Sequence, residues 1–365
     1  MLLERIQQNA SLLAEHPAYR CGEEFLTYSQ LWNAACLLAA QLQDGAGAVA
    51  LIGTKQPMMA VGMLGSLLAG RPYLPLSSDQ PKERLQRILS QANPGTVIDC
   101  REAKAEQWLK REPATQNFLI PGDPSRDAYW LFTSGSSGSP KGVRISLAAL
   151  ENFVRWFCAL PAIRFRKEPG VALNQAQFSF DLSVADLWPA WMMGETVFAL
   201  EPSQQADLDK LYRALGESGA TRMSCTPSFA RLCLCDKSFQ RELMPALQTV
   251  FFCGETLPAR TVRQLRQRFP GVTVLNAYGP TEATRAVCAV EVTGAGEPLP
   301  VGQLANAACQ LLILDQDGNE LPPGQSGEIA IAGQSVASGY LNASAERFGS
   351  CLLYTSPSPR DTERC

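Results

Sequence analysis

YWLFTSGSSGSPKGVR, residues 129–144, decides how the rest of the chain is read. Its first four residues are apolar or aromatic, the composition of a short buried strand. They deliver the chain into Thr133-Ser134-Gly135-Ser136-Ser137-Gly138-Ser139-Pro140-Lys141-Gly142. Glycines at 135, 138 and 142 permit left-handed turns and let main-chain N–H groups point inward. Serine hydroxyls and Thr133 add further donors, and Lys141 closes the loop with a cation. A loop so equipped is suited to a polyphosphate. It is not a Walker loop, because GxxxxGK(S/T) is absent and Gly142 follows Lys141. A flexible linker is the competing reading, and the apolar flanks on both sides argue against it.

The chain has 365 residues, enough for about two domains or one large domain with lobes. At 46% hydrophobic it can bury a sizeable core. A net charge of −3 offers no basic footprint for nucleic acid and no acidic tail. No apolar run reaches the length of a membrane span, and Met1-Leu2-Leu3-Glu4-Arg5 is not a secretory signal. A cytoplasmic enzyme without membrane insertion is therefore expected. The twelve cysteines are irregularly spaced, and His16 is the only histidine. That speaks against a Cys/His zinc site and against a histidine triad away from the N-terminus. Most of the cysteines are expected to be small buried hydrophobes in a reducing compartment.

Working outward from the loop, apolar periodicity predicts helices over 31–43, 58–69, 81–91, 147–160, 207–216 and 258–268. Short apolar runs predict strands at 48–52, 73–76, 96–99, 171–174, 196–200, 222–224, 250–253 and 272–276. Strands alternating with helices indicate parallel α/β layering. After Pro298 the pattern changes to strand, Asp-Gln-Asp-Gly turn and strand, predicting a small β-rich lobe over about 298–345. Residues 350–365 lack periodicity, and CLLYTSPSPRD at 351–361 resembles the translation of a library-preparation adapter. They are set apart as a non-native tail, with the reading frame expected to be truncated, not naturally ended.

Four segments in order resemble the adenylate-forming enzymes, a superfamily of acyl-CoA synthetases, luciferases and amino-acid adenylation domains. They are LAGRPYLPL at 68–76, the glycine-serine loop, NAYGPTEAT at 276–284, and GEI at 327–329 through VASGYL at 336–341. The likeness spans about 27–348. FDLSVADL at 180–187 is the form used by amino-acid-activating members. FCGETLP at 252–258 with TPSF at 226–229 is similar to the D-alanine–D-alanyl carrier protein ligase family. The resemblance implies an α/β N-terminal domain over 1–349. It would have mixed and parallel sheets flanked by helices, a β-rich lobe, and no C-terminal domain.

It also implies roles. Asp181 matches the carboxylate that receives a substrate ammonium. A lone acid in an apolar run is costly to bury unpaired, by several kcal/mol, and an ammonium repairs that defect. A helix cap or internal ion pair would do so too. Asp186 reads as a surface or structural acid. Thr133, Lys141 and Glu282 form the implied catalytic set. Glu282 matches the Mg²⁺-holding carboxylate, since a hard cation on phosphate oxygens needs an oxygen ligand; a helix-start acid is its alternative. Thr133, Ser134, Gly135, Ser136, Ser137, Gly138 and Lys141 match the ATP phosphate cradle, and Thr281 another phosphate contact. Gly254-Glu255-Thr256 and Tyr278, within Asn276-Ala277-Tyr278-Gly279-Pro280-Thr281, match the walls of the adenine slot. A core aromatic for Tyr278 and a solvated lysine for Lys141 are the alternatives. The substrate pocket would draw on Asp181, Leu182, Ala185, Ser224, Phe251, Cys253, Ala277, Arg285 and Ala286. Arg285 stands where alanine ligases carry a small apolar residue. It is expected to turn outward; the alternative is recognition of an acidic or hydroxylated side chain.

The implied chemistry uses ATP and Mg²⁺. A small amino acid, best matched by D-alanine, attacks the α-phosphorus and then passes to the phosphopantetheine thiol of a carrier protein. Neither the Thr-Gly-Asp segment nor the lysine-bearing C-terminal domain of the superfamily has a match after Phe348. A fragment of low activity is therefore expected. The alternatives are a peptide-synthetase adenylation domain for another small or polar amino acid, and a non-catalytic binding fragment.

Overall fold

Alternation of apolar strands with amphipathic helices builds three sheets here. The computed structural model describes residues 2–102, 122–134, 140–164, 169–294, 296–302, 308–342, 348–349 and 352–354. The strands are β1 (Pro17–Cys21), β2 (Glu24–Thr27), β3 (Val49–Gly53), β4 (Tyr73–Ser77), β5 (Thr96–Asp99) and β6 (Asp127–Ser134). Next come β7 (Pro140–Ser146), β8 (Val171–Asn174), β9 (Thr196–Ala199), β10 (Arg222–Cys225), β11 (Thr249–Phe252) and β12 (Thr273–Tyr278). The last are β13 (Cys288–Glu291), β14 (Cys309–Leu314), β15 (Glu328–Gly333), β16 (Gly339–Tyr340), β17 (Phe348–Gly349) and β18 (Leu352–Tyr354).

One sheet runs β13-β12-β11-β10-β8-β9-β1-β2, a second β16-β7-β6-β4-β3-β5, and a third β14-β15-β18-β17. In the first, β12, β11, β10, β8, β9 and β1 are parallel, with β2 and β13 antiparallel at the edges. In the second, β5, β3, β4 and β6 are parallel, and β7 and β16 are added antiparallel. The layering is parallel at its centre and mixed at its margins.

One continuous apolar core joins the two larger sheets through the helices Leu2–Leu12, Tyr28–Leu42, Pro57–Leu68, Leu147–Ala159 and Val184–Met193. Tyr28–Leu42 starts on a capping box: the Thr27 side chain accepts from the Gln30 amide, and Gln30 returns a bond to the Thr27 amide. Pro57–Leu68 is apolar on every side and buried at every residue, as a helix held between layers must be. At Gly65 a Cβ would stand 3.0 Å from the Ala35 carbonyl, so the glycine lets the two central helices close up.

The predicted strands and helices recur with small shifts at their ends. The N-terminal helix and β1 escaped prediction, because β1 opens on Pro17 and carries Arg20. Val184–Met193 is helical straight through Pro189. Proline removes the N–H that would bond the carbonyl four residues back. That carbonyl, Ala185, instead accepts a 3.1 Å bond from Arg222 Nη1. In the lobe, β14 and β15 pair antiparallel, and Asp315 turns the chain by accepting from the Asp317 and Asn319 amides at 2.9 and 2.8 Å. The backbone of Leu352–Tyr354, in the segment set apart as a tail, lies antiparallel on β15. An open sheet edge accepts any extended apolar piece through main-chain bonds alone.

Candidate functional site

Parallel strands send their following loops to one edge of the sheet, and ligands of such sheets bind outside the carboxyl ends. Here β8 leads to Asp181, β10 to Thr226–Ser228, β11 to Cys253–Thr256, and β12 to Gly279–Arg285. Phe252 pairs with Asn276, so the last two segments leave the edge side by side. Two side-chain bonds stitch the loops together. Thr281 Oγ1 donates to Asp181 Oδ2 at 2.7 Å. The Ser228 amide and hydroxyl donate to Glu255 Oε2 at 3.1 and 2.6 Å.

The phosphate side is built on the β6–β7 hairpin. Thr133 stands directly across from Lys141. Ser134 closes β6, while Gly135, Ser136, Ser137, Gly138 and Ser139 lie outside the described residues. Strand β16 pairs with β7, matching Tyr340 to Val143. The Lys141 ammonium lies 5.6 Å from the Tyr340 ring centroid, and the Tyr340 hydroxyl donates to Glu282 Oε1 at 2.7 Å. Thus Lys141, Glu282 and Tyr340 meet from three distant segments. The sequence quoted Tyr340 only as part of a motif, with nothing to mark its hydroxyl. Among the described residues Glu282 Oε2 accepts no hydrogen bond.

The loop that carries Glu282 is strained. Thr284 and Arg285 have φ of +54 and +78, which non-glycine residues seldom adopt. Such residues cost about 1–3 kcal/mol each and persist only where their surroundings dictate them. The β-rich lobe does so here. Thr284 Oγ1 donates to the Ser335 carbonyl at 2.7 Å, and the Ala337 amide to the Glu282 carbonyl at 2.8 Å. At Gly279 a Cβ would fall 2.4 Å from Ala286 Cα, so only glycine lets this loop fold back on itself.

That backbone overturns the expectation for Arg285. The side chain turns inward and is 1% exposed, with its guanidinium carbon 4.9 Å from the Phe251 ring centroid. None of Nε, Nη1 and Nη2 has a hydrogen-bond partner among the described residues. The Cys253 thiol is close by and is at most a weak acceptor. Leu182, Ala185, Ser224, Cys253, Ala277 and Ala286 are all buried as well. Burial pushes the Asp181 carboxyl above the usual carboxylate range; the Arg285 charge and the Thr281 hydrogen bond offset part of that rise.

Other expectations sort as follows. Asp186 is not on the surface: it is fully buried, accepts from Asn174 Nδ2 at 3.0 Å, and is pushed up to about 6 by burial. Asn174 in turn accepts from the buried Lys55, a contact between distant segments with no local sequence signal. The Asn276 side chain is committed to the Pro300 carbonyl at 2.8 Å, and its main chain lies in the sheet between Phe252 and Val290. Ala277 is buried and Tyr278 half-buried beside Gly279 and Pro280. Of the described cysteines, all but Cys158 and Cys235 are buried, and all are free. No helix among the described residues is long and apolar enough to cross a membrane, and no cluster of three or more His, Cys, Asp or Glu could hold a metal.

Residues 6–341 match the model of the AMP-binding enzyme family. The chain belongs to that family. This AMP-binding enzyme is 38% identical over 367 residues to the D-alanine–D-alanyl carrier protein ligase of Bacillus licheniformis, covering 94% of this chain and 72% of the relative. It is 37% identical over 361 residues to the ligase of the same description from Bacillus velezensis, with 93% and 71% covered. Among solved structures, the nonribosomal peptide synthetase FmoA3 in its AMPPNP-bound form gives a TM-score of 0.86 at 22% identity, over 98% of this chain and 41% of that one. The N-terminal subdomain of Klebsiella oxytoca NpsA with 3-hydroxybenzoyl-AMSN gives 0.82 at 22% identity, over 97% and 95%. These two likenesses carry the fold, which is that of adenylate-forming N-terminal domains. AMP-binding enzymes use ATP.

Proposed function

We propose that this AMP-binding enzyme activates a small amino acid with ATP and hands it to the phosphopantetheine thiol of a carrier protein in the cytoplasm. D-alanine, which the relatives' names give, is the reference substrate, and the apolar wall of Phe251, Cys253 and Ala277 keeps the pocket small. The observation that carries the reading is Asp181, whose carboxyl is raised by burial and which among the described residues forms no ion pair, its side chain accepting from the Thr281 hydroxyl at 2.7 Å. A substrate ammonium would add a directly bonded counter-charge to the unbonded one of Arg285.

With the ammonium held there, the substrate carboxylate faces the hairpin that carries Thr133 and Lys141. A carboxylate oxygen bonds to the α-phosphorus as the bond to the bridging oxygen breaks, and pyrophosphate leaves. Lys141 and the loop donors would offset the charge that develops on the phosphates. Glu282, with Oε2 uncommitted, is the group that would hold Mg²⁺, whose charge would stabilise the leaving pyrophosphate. Tyr340 fixes the Glu282 carboxylate from Oε1. The ring of Tyr278 and the Gly254-Glu255-Thr256 main chain would bracket the adenine.

The test is amino-acid-dependent ATP–pyrophosphate exchange with D-alanine, L-alanine, serine and aspartate side by side. Exchange with at least one of them, lost in Asp181→Ala, supports the reading. Exchange with none of them sinks it.

A further inference from the structure

We propose that the amino-acid pocket is built for a short side chain ending in a carboxylate, aspartate-like instead of alanine-like, with Arg285 as its specificity-determining residue. This rests on the function proposed above and names the substrate class of the same site.

Of the three arginines that are buried whole among the described residues, two find acceptors in the fold. Arg71 donates to the carbonyls of Gly47, Leu42 and Ala46 and to the Thr96 hydroxyl. Arg222 donates to Glu195 and to the Ala185 and Asp186 carbonyls. Arg285 is as deeply buried as either, yet none of its three nitrogens has a hydrogen-bond partner among the described residues. Buried donors are almost always paired, so an orphaned guanidinium in a ligand pocket marks a ligand acceptor. A second orphan stands in the same field. The Tyr129 hydroxyl is buried, has no hydrogen-bond partner among the described residues, and feels the charges of both Asp181 and Arg285. Asp181 itself makes no ion pair or hydrogen bond with Arg285 among the described residues; its bonded partner is Thr281.

The pocket thus presents one acidic and one basic group that feel each other's charge but, among the described residues, are not bonded to each other. An α-amino acid with a side-chain carboxylate matches both: its ammonium meets Asp181, and its second carboxylate meets the guanidinium fork, which suits a planar two-oxygen acceptor. The Tyr129 hydroxyl offers a further donor. The α-carboxylate stays free to attack ATP. A methyl side chain would instead leave the guanidinium dry and unpaired, and such polar mismatch discriminates far more strongly than size.

The test is equilibrium binding to the full chain, by calorimetry with a non-hydrolysable ATP analogue present, of aspartate and alanine in both enantiomers. The expected result is aspartate, in one enantiomer or the other, at least about tenfold tighter than alanine. Arg285→Met keeps the volume and the unbranched backbone position, and should reverse that ratio. Arg285→Lys should keep part of it, and Tyr129→Phe should lower it a few-fold. The ratio is read within each protein, so a partly unfolded variant does not distort it. Alanine binding more tightly than aspartate to the unaltered chain would overturn the proposal. So would an equal loss for both ligands in Arg285→Met, which is what a mere neutraliser of Asp181 would give. If neither amino acid binds and Asp181→Ala changes nothing, the parent function falls with it, a result distinct from the other two.

Discussion

Arg222 and Arg285 are 2% and 1% exposed and occupy opposite kinds of place. Arg222, on β10, ends in a closed network. Its Nε donates to Glu195 Oε2 at 2.8 Å, and its other nitrogens reach the Ala185 and Asp186 carbonyls at 3.1 and 3.3 Å. One of those carbonyls is open only because Pro189 has no N–H to offer it. Arg285, on the strained loop, ends against a phenyl ring with every donor open. A buried charge that the fold satisfies belongs to the fold. A buried charge that the fold leaves unsatisfied, held there by backbone strain, belongs to something that arrives later.

The sharpest way to break the comparison is to make one substitution at both places. Arg222→Met breaks the buried ion pair with Glu195 and should destabilise the protein by about 3–5 kcal/mol in urea unfolding. Arg285→Met removes a buried charge that has no hydrogen-bond partner among the described residues, and should leave stability unchanged or higher. Equal losses from the two would erase the distinction.

Next in size is Asp181→Ala, expected to lower kcat/KM for amino-acid-dependent exchange by about a hundredfold, roughly 2.7 kcal/mol. Its unfolding midpoint should not fall. Asp181 also sets a pH dependence. Its folded pKa lies above its unfolded value, so its ionisation costs the free protein stability as pH rises through the folded pKa. The amino acid needs the ionised form. Stabilisation by bound amino acid should therefore be larger near pH 7 than near pH 4, and Asp181→Asn should flatten that difference. A smaller effect, about 1 kcal/mol or fivefold in exchange rate, is expected for Tyr340→Phe, which releases Glu282 Oε1 without touching substrate. The least is Thr27→Ala, about 1 kcal/mol in unfolding and nothing in exchange, since it only removes a helix cap.

How much of this was legible follows the same division. The central strands and helices were readable because each buries a face set by its own periodicity. Asp181, Glu282, Thr133 and Lys141 were readable because their residue types sit in ordered motifs, and the hairpin register does place Thr133 opposite Lys141. What stayed hidden depends on partners far along the chain. Nothing near Pro189 shows that Arg222 will repair the helix. Nothing near Arg285 shows that Ser335 and Ala337 will clamp the loop and turn the side chain inward. Asn276 illustrates the converse, since the motif is legible while its side chain is spent on Pro300.

The central claim is that Asp181 exists to meet an ammonium. The most direct measurement is ATP–pyrophosphate exchange with matched pairs that differ only in the amine, D-alanine against propionate and aspartate against succinate. The account predicts exchange with an amino acid, none with its deaminated counterpart, and loss in Asp181→Ala. Exchange sustained equally by propionate or succinate, and undiminished in Asp181→Ala, would contradict it.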